Sequence, residues 1–388
     1  MFLHIIALLL TAVMFSNCTF KQNPIRSVSS DPEEVQSSPS HVPREEALPV
    51  IAWEDARTLD SLQSTEGFRS WLAAAKRNGI NTIFVRQPLF RINDNSAPLW
   101  KEFVLEAHRQ SLRVSAVLNL REKSSISMRN NWNDLQLNSS TSTLTPSTFP
   151  DLLHKGYQAA IRRLILQLSM AQVDLIIFRF DPPSGLFDGF TKNALNAFEK
   201  DFDQPILPEK LFALTNGQLI QYSNAHIPLS KVLGDLSPKF WRWVGWKNRQ
   251  YLDALQGIMV SVKEQYPKSK FGIELHASTI IDSRGALVRY TEDFLETRRR
   301  SFDYFIVSEP ESVLGSTRQS MIGEASLRMT ALLDDPSKVL VLLSSKRPTW
   351  MTLKQVDTIK GVLGLQEGVG FGLKGSIRKD FKILQNSN

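Results

Sequence analysis

Short apolar runs alternate with longer amphipathic stretches along most of this chain. The runs 50–53, 82–86, 114–120, 175–180, 271–277, 304–308, 339–343 and 369–373 are rich in Val, Ile, Leu and Phe. Each reads as a strand buried on both faces. Between them, 67–76, 100–110, 152–170, 241–265 and 323–333 place apolar residues at helical spacing. This alternation predicts an α/β fold with a parallel sheet. Eight strands within about 330 residues favour a closed (β/α)8 barrel over a doubly wound sheet. Glu54-Asp55-Ala56-Arg57 follows the first strand, where a dinucleotide-binding fold would carry a glycine-rich turn.

The first residues change the picture of where the barrel works. Residues 2–15 are apolar apart from His4 and Thr11, shorter than the ~20 residues of a spanning helix and suited to the core of a signal peptide. The run stops at Ser16-Asn17-Cys18, and Cys18 is the single cysteine, which excludes an internal disulfide and a cysteine metal site. Its position resembles a bacterial lipoprotein cleavage site, whose cysteine is acylated. The alternative is an ordinary secretory signal with an incidental cysteine, since Asn17 stands where the lipoprotein pattern has a very small residue and no Lys or Arg precedes the run. Residues 19–48 are Ser-, Pro-, Glu- and Gln-rich with few large apolar residues, the composition of a disordered tether. The expected organisation is a signal peptide over 1–18 with lipidation at Cys18, a linker over 19–48, and a barrel over 49–380. The expected location is the cell envelope, membrane-anchored and facing the periplasm or exterior.

Charge and composition exclude more than they specify. The net charge of +7, with 22% charged and 42% hydrophobic residues, belongs to a soluble globular protein. No basic stripe interleaved with aromatics accompanies Arg298-Arg299-Arg300, so nucleic acid is not an expected partner. The six histidines show no metal-ligand spacing, and neither metal nor other cofactor is expected.

In a barrel of this kind the carboxyl ends of the strands form the active-site rim. The fourth run ends in Arg179-Phe180-Asp181 followed by Pro182-Pro183, which makes Asp181 a candidate acid or, alternatively, a helix-capping or turn residue. Arg179, two residues earlier, shares its strand face and is expected to pair with it. Second carboxylates are sought at Glu309, after the sixth run, and at Glu274 in the fifth. Glu274 and His276 share a face that the apolar layer under the helices cannot cheaply accept, so they point into the barrel mouth or form a buried polar pair. Asp55 and Arg86 complete the rim. Two long connections, 121–148 (read as a polar loop) and 182–240 (with a helix near 193–200), leave strand carboxyl ends and suit an extended substrate. In 240–247, Trp243 and Trp246 share a helical face and read as core, which leaves Trp241 as a sugar-stacking platform.

Several stretches together resemble a known family, the glycoside-hydrolase-like barrel that forms the carboxyl-terminal domain of PgaB, the poly-β-1,6-N-acetylglucosamine deacetylase. They are Gly79-Ile80-Asn81-Thr82-Ile83-Phe84-Val85, Asp174 to Asp181, Trp243 with Trp246-Lys247 and Leu252, and Phe302-Asp303-Tyr304. In the family pattern the fourth strand runs into a histidine and two aspartates. Asp181 matches the second aspartate, Arg179 stands in place of the histidine and Phe180 in place of the first aspartate. Asp188 falls in the loop that follows and is expected, with Asp55, Arg86, Arg179, Trp241 and His276, to contact the substrate. The resemblance implies binding or cleavage of a partly deacetylated β-1,6-glucosamine polymer. Two functions follow as expectations: an exported glycoside hydrolase acting on an amino-sugar exopolysaccharide, or a catalytically inactive lipoprotein that binds the polymer or guides its export.

Overall fold

Strand formation follows the branched and aromatic runs closely. In the computed structural model of the protein, residues 51–58, 65–89, 96–123, 131–138, 141–211, 236–308, 315–344 and 360–375 are described, all within the compact unit Ala47–Asn388. The expected signal peptide, Cys18, the 19–48 linker and Glu309 lie outside these residues. Barrel strands β1 (Ile51–Thr58), β2 (Thr82–Arg86) and β3 (Arg113–Asn119) precede a hairpin of β4 (Asn133–Asn138) and β5 (Thr143–Pro150). Strands β6 (Leu175–Arg179), β7 (Phe271–His276), β8 (Tyr304–Ser308), β9 (Val339–Ser344) and β10 (Gly370–Gly375) follow. The eight barrel strands are all parallel and close in the order β1-β10-β9-β8-β7-β6-β3-β2.

Strand alternation sorts side chains into two layers. Ala52, Phe84, Val117, Ile177, Ile306 and Leu342 form an apolar plug inside the barrel. Their neighbours Trp53, Ile83, Leu118, Phe178, Phe305 and Val341 face the helices. Helix α1 (Thr65–Arg77) buries Phe68, Trp71, Leu72 and Ala75, and α2 (Ser96–Arg109) buries Trp100, Phe103, Val104 and Ala107. Both sets follow the spacing i, i+3, i+4, i+7 that one helical face requires. The two helices lock through Phe103, edge-on to Phe68 at 5.2 Å and stacked with Trp71 at 5.6 Å. Each such ring contributes about 1.5–3 kcal/mol by leaving water. Gly79, at φ +75°, turns the chain from α1 into β2 in a backbone region that a Cβ would disfavour.

Two features adjoin the mouth. The expected polar loop 121–148 contains the β4–β5 hairpin, and it bonds to the segment after β6 through Leu137 N to Phe187 O (2.8 Å) and Phe190 N to Leu135 O (3.0 Å). A second apolar cluster joins this hairpin to α4 (Lys192–Phe202, after α3, Lys155–Met170) and to the start of α5 (Pro238–Lys263). Trp243 stacks on Phe190 at 5.2 Å and on Trp246 at 5.2 Å, with both tryptophans buried as their spacing predicts. Trp241 is half-buried against the same cluster, its ring edge-on to Phe240 at 5.7 Å.

Candidate active site

The inward positions turn from apolar to ionic as the strands reach their carboxyl ends. Arg179, the last residue of β6, is buried and holds two carboxylates. Its Nη1 and Nη2 donate to the two oxygens of Glu54 at 2.6 Å each, and its Nε donates to Glu274 Oε2 at 2.5 Å. Ser308 Oγ donates to the other Glu274 oxygen at 2.8 Å. Glu54 comes from β1, Glu274 from β7 and Ser308 from β8, so the clamp ties widely separated stretches together above the apolar plug. Burial alone would push the Glu274 carboxyl up. The charges of Arg179 and Lys374, with the hydrogen bonds from Arg179 and Ser308, outweigh it and hold the group below the usual carboxylate range. The two glutamates in turn raise Arg179 further despite its burial. Glu274 is therefore a fixed anion and not a proton donor.

The expected pairing of Arg179 with Asp181 does not occur. Strand β6 ends at Arg179, so the two residues no longer share a face, and the guanidinium is saturated by glutamates. Asp181 instead stands exposed at the rim, and its side chain has no hydrogen-bond partner among the described residues. Its backbone is pinned on both sides by one amide: Asn119 Nδ2 donates to Asp181 O at 2.5 Å, and Asp181 N donates to Asn119 Oδ1 at 3.0 Å. A free carboxylate on an immobilised backbone is what a reacting or substrate-holding group requires.

His276 and Glu274 share a strand face without meeting. His276 Nδ1 lies 2.8 Å from Glu292 Oε1, its backbone N donates to Glu292 Oε2 at 3.0 Å, and its ring stacks on Tyr290 at 4.0 Å. Arg86 is half-buried at the end of β2, on the inward face with Phe84. Asp55 lies in β1 opposite Gly375. Asp188 is drawn away from a substrate role: Oδ2 accepts from Arg121 Nη2 at 2.8 Å and from Gly185 N at 2.8 Å. Glu54, Asn119 and Glu292 escaped the sequence reading. Glu54 had a signal, being an acid one step beyond an apolar strand on its inward alternation, the same signal that singled out Glu274.

Behind the rim, Arg121, Asp134, Asp188 and Lys247 form a buried network under the hairpin. Lys247 Nζ donates to the carbonyls of Gly185 and Asp188 at 3.1 Å each, and Gly189 N donates to Asp134 Oδ1 at 3.0 Å. Burial, then the charge of Asp151, pushes Asp134 up to about 8 against the pull of Arg121. Burial lowers Lys247 to about 8 in spite of Asp188 and Asp134. For Asp134 the folded state keeps a proton that the unfolded chain has lost, so this stabilisation is complete below about pH 4 and fades as pH rises to about 8. Asn mimics the protonated acid. Asp134→Asn is expected to match the parent near pH 4 and to be the more stable at pH 8, with the gap widening steadily between, in denaturation curves across that range.

No family model matches the chain, and no curated protein matches its sequence. Solved structures do. The chain is similar to the glycoside hydrolase domain of PgaB (BpsB) from Bordetella bronchiseptica, with a TM-score of 0.62 at 12% identity over 87% of this chain and 96% of that one. It is also similar to a β-galactosidase from the psychrophilic Marinomonas ef1, with a TM-score of 0.50 at 10% identity over 84% of this chain and 53% of that one. At such identities the likeness is one of fold. The chain has a glycoside-hydrolase-like (β/α)8 barrel, and its resemblance is to the PgaB domain.

Proposed function

We propose that this protein binds an amino-sugar exopolysaccharide of the poly-β-1,6-glucosamine type in its barrel mouth and cleaves it with Asp181. The observation that carries the proposal is the free carboxylate of Asp181, fixed through its backbone by Asn119 at the rim. The charge of the mouth selects the form of the polymer. Among the described residues the inward carboxylates Glu54 and Glu274 are offset by Arg179 and Lys374, and Glu292 is held by His276. A balanced site favours neutral, N-acetylated sugars over the cationic, deacetylated form. Glu54, Glu274 and Glu292 are all engaged by neighbours. With Glu309 outside the described residues, the second role that glycoside cleavage needs is assigned to the substrate's own acetamide. Its oxygen displaces the glycosidic oxygen at C1 as Asp181 protonates that oxygen, and water then attacks C1, opening the oxazolinium ring and returning a proton to Asp181. Incubating the purified protein with β-1,6-glucosamine oligomers of graded acetylation is expected to give shorter products, fastest for the most acetylated. If no oligomer is bound or shortened, the reading fails.

The binding-only alternative is favoured by one observation, the saturation of both buried glutamates by Arg179. It predicts retention of the same oligomers without products. Export and anchoring through Cys18 belong to the same proposal. They are supported by the apolar run 2–15 and the polar tether after it, and an acylated Cys18 at the mature amino terminus in mass spectra is the expected result.

A further inference from the structure

We infer that the opposite, amino-terminal end of the barrel holds a second binding site, for an organic carboxylate with an apolar body and a hydroxyl at its far end. In most barrels this end is closed by bulky inward side chains and serves stability alone. Here a cavity of about 620 Å³ opens there, within the size range of small-molecule sites. It is separate from the clamp. Leu175, in its wall, is the first residue of β6 and Arg179 is the last, ~13 Å apart along the strand.

Three observations define the ligand. The walls are apolar and aromatic, formed by Phe84, Leu175, Tyr304, Ile306 and Leu340. Ser115 stands between Phe84 and Leu175 in register, where a branched side chain would have filled the space. Its Oγ is buried, with the residue only 1% exposed, and it has no hydrogen-bond partner. A buried hydroxyl without a partner is unfavourable, and a ligand hydroxyl reaching this depth would satisfy it. At the opening stand Arg113, Lys268 and Lys270, none with an ion-pair partner among the described residues. Asp174 is the one carboxylate in the lining, and it is already engaged by His108 Nε2 at 2.9 Å and Val114 N at 2.7 Å. Positive charge at the opening, an apolar barrel and a hydroxyl in need of a partner at depth call for a ligand with the reverse sequence of groups.

The test is calorimetric titration of the full-length protein with 10-hydroxydecanoate, decanoate (which lacks the deep hydroxyl) and 1,10-decanediol (which lacks the charge). The hydroxy acid is expected to bind most tightly, about tenfold better than decanoate. Ser115→Ala is expected to erase that difference. The exposed double change Lys268→Gln with Lys270→Gln, which touches no core contact, is expected to weaken both acids and leave the diol unchanged. No binding of 10-hydroxydecanoate, or binding indifferent to both variants, overturns the inference. Oligosaccharide binding at the mouth is expected to be the same in all these variants, so the two sites fail independently.

Discussion

Replacing Arg179 with alanine is expected to cost the fold about 3–5 kcal/mol, the largest loss from any single polar substitution in the barrel. The reason lies in what remains. Glu54 and Glu274 are buried, at 0% and 8% exposure, and each has one or both oxygens on the guanidinium. Removing the cation leaves two carboxylates in low dielectric facing one another, and neither can stay ionised without penalty. Arg179→Lys keeps the charge but not the fork, and is expected to recover only part of the loss. The combination Arg179→Met, Glu54→Gln and Glu274→Gln removes charge from all three partners and is expected to regain most of it. Urea denaturation at pH 7 reads all three. Near-parental stability of Arg179→Ala would mean that the glutamates have another partner.

Asp181→Asn carries the second large effect, this time on rate. Loss of a positioned general acid typically lowers turnover 10²–10⁴-fold, and that range is expected for cleavage of acetylated oligomers. The side chain is exposed and makes no hydrogen bond among the described residues, while its backbone is held by Asn119. Stability is therefore expected to stay within about 0.5 kcal/mol of the parent, and oligomer Kd to change little. That split between rate and affinity distinguishes a reacting carboxylate from a merely adhesive one. An unchanged rate in Asp181→Asn would move the chemistry elsewhere.

Hydrophobic periodicity made the barrel legible because its strands are buried on both faces. Each of the eight apolar runs became a strand; 82–86 and 304–308 coincide with β2 and β8, five others shift by one or two residues at their ends, and the first runs on by five residues, to Thr58. The same signal was silent for β4 and β5. What that hairpin buries includes Asp134 and Ser147 beside Leu137, with Asp134 Oδ1 accepting from Gly189 N and Ser147 Oγ from Phe149 N. No alternation of oily residues announces such a pair. At the mouth, Asp181, Glu274, His276 and Arg86 were legible as polar residues at strand ends. Their partners were not, because pairing depends on where each strand stops. Reading Arg179 and Asp181 as face-sharing neighbours assumed two more residues of strand than β6 contains.

On the proposed function, the weld between the hairpin and the segment after β6 has a consequence for how a long polymer would be met. Bridged at Gln136 and Asp188 and bonded again at Leu137 and Phe190, these two loops present one preorganised wall. A chain of sugars landing there has little loop ordering to drive, so each added residue contributes its full contact enthalpy until the oligomer outruns the wall. Affinity on this side should climb steadily with oligomer length and then level off, a plateau that measures the reach of the groove.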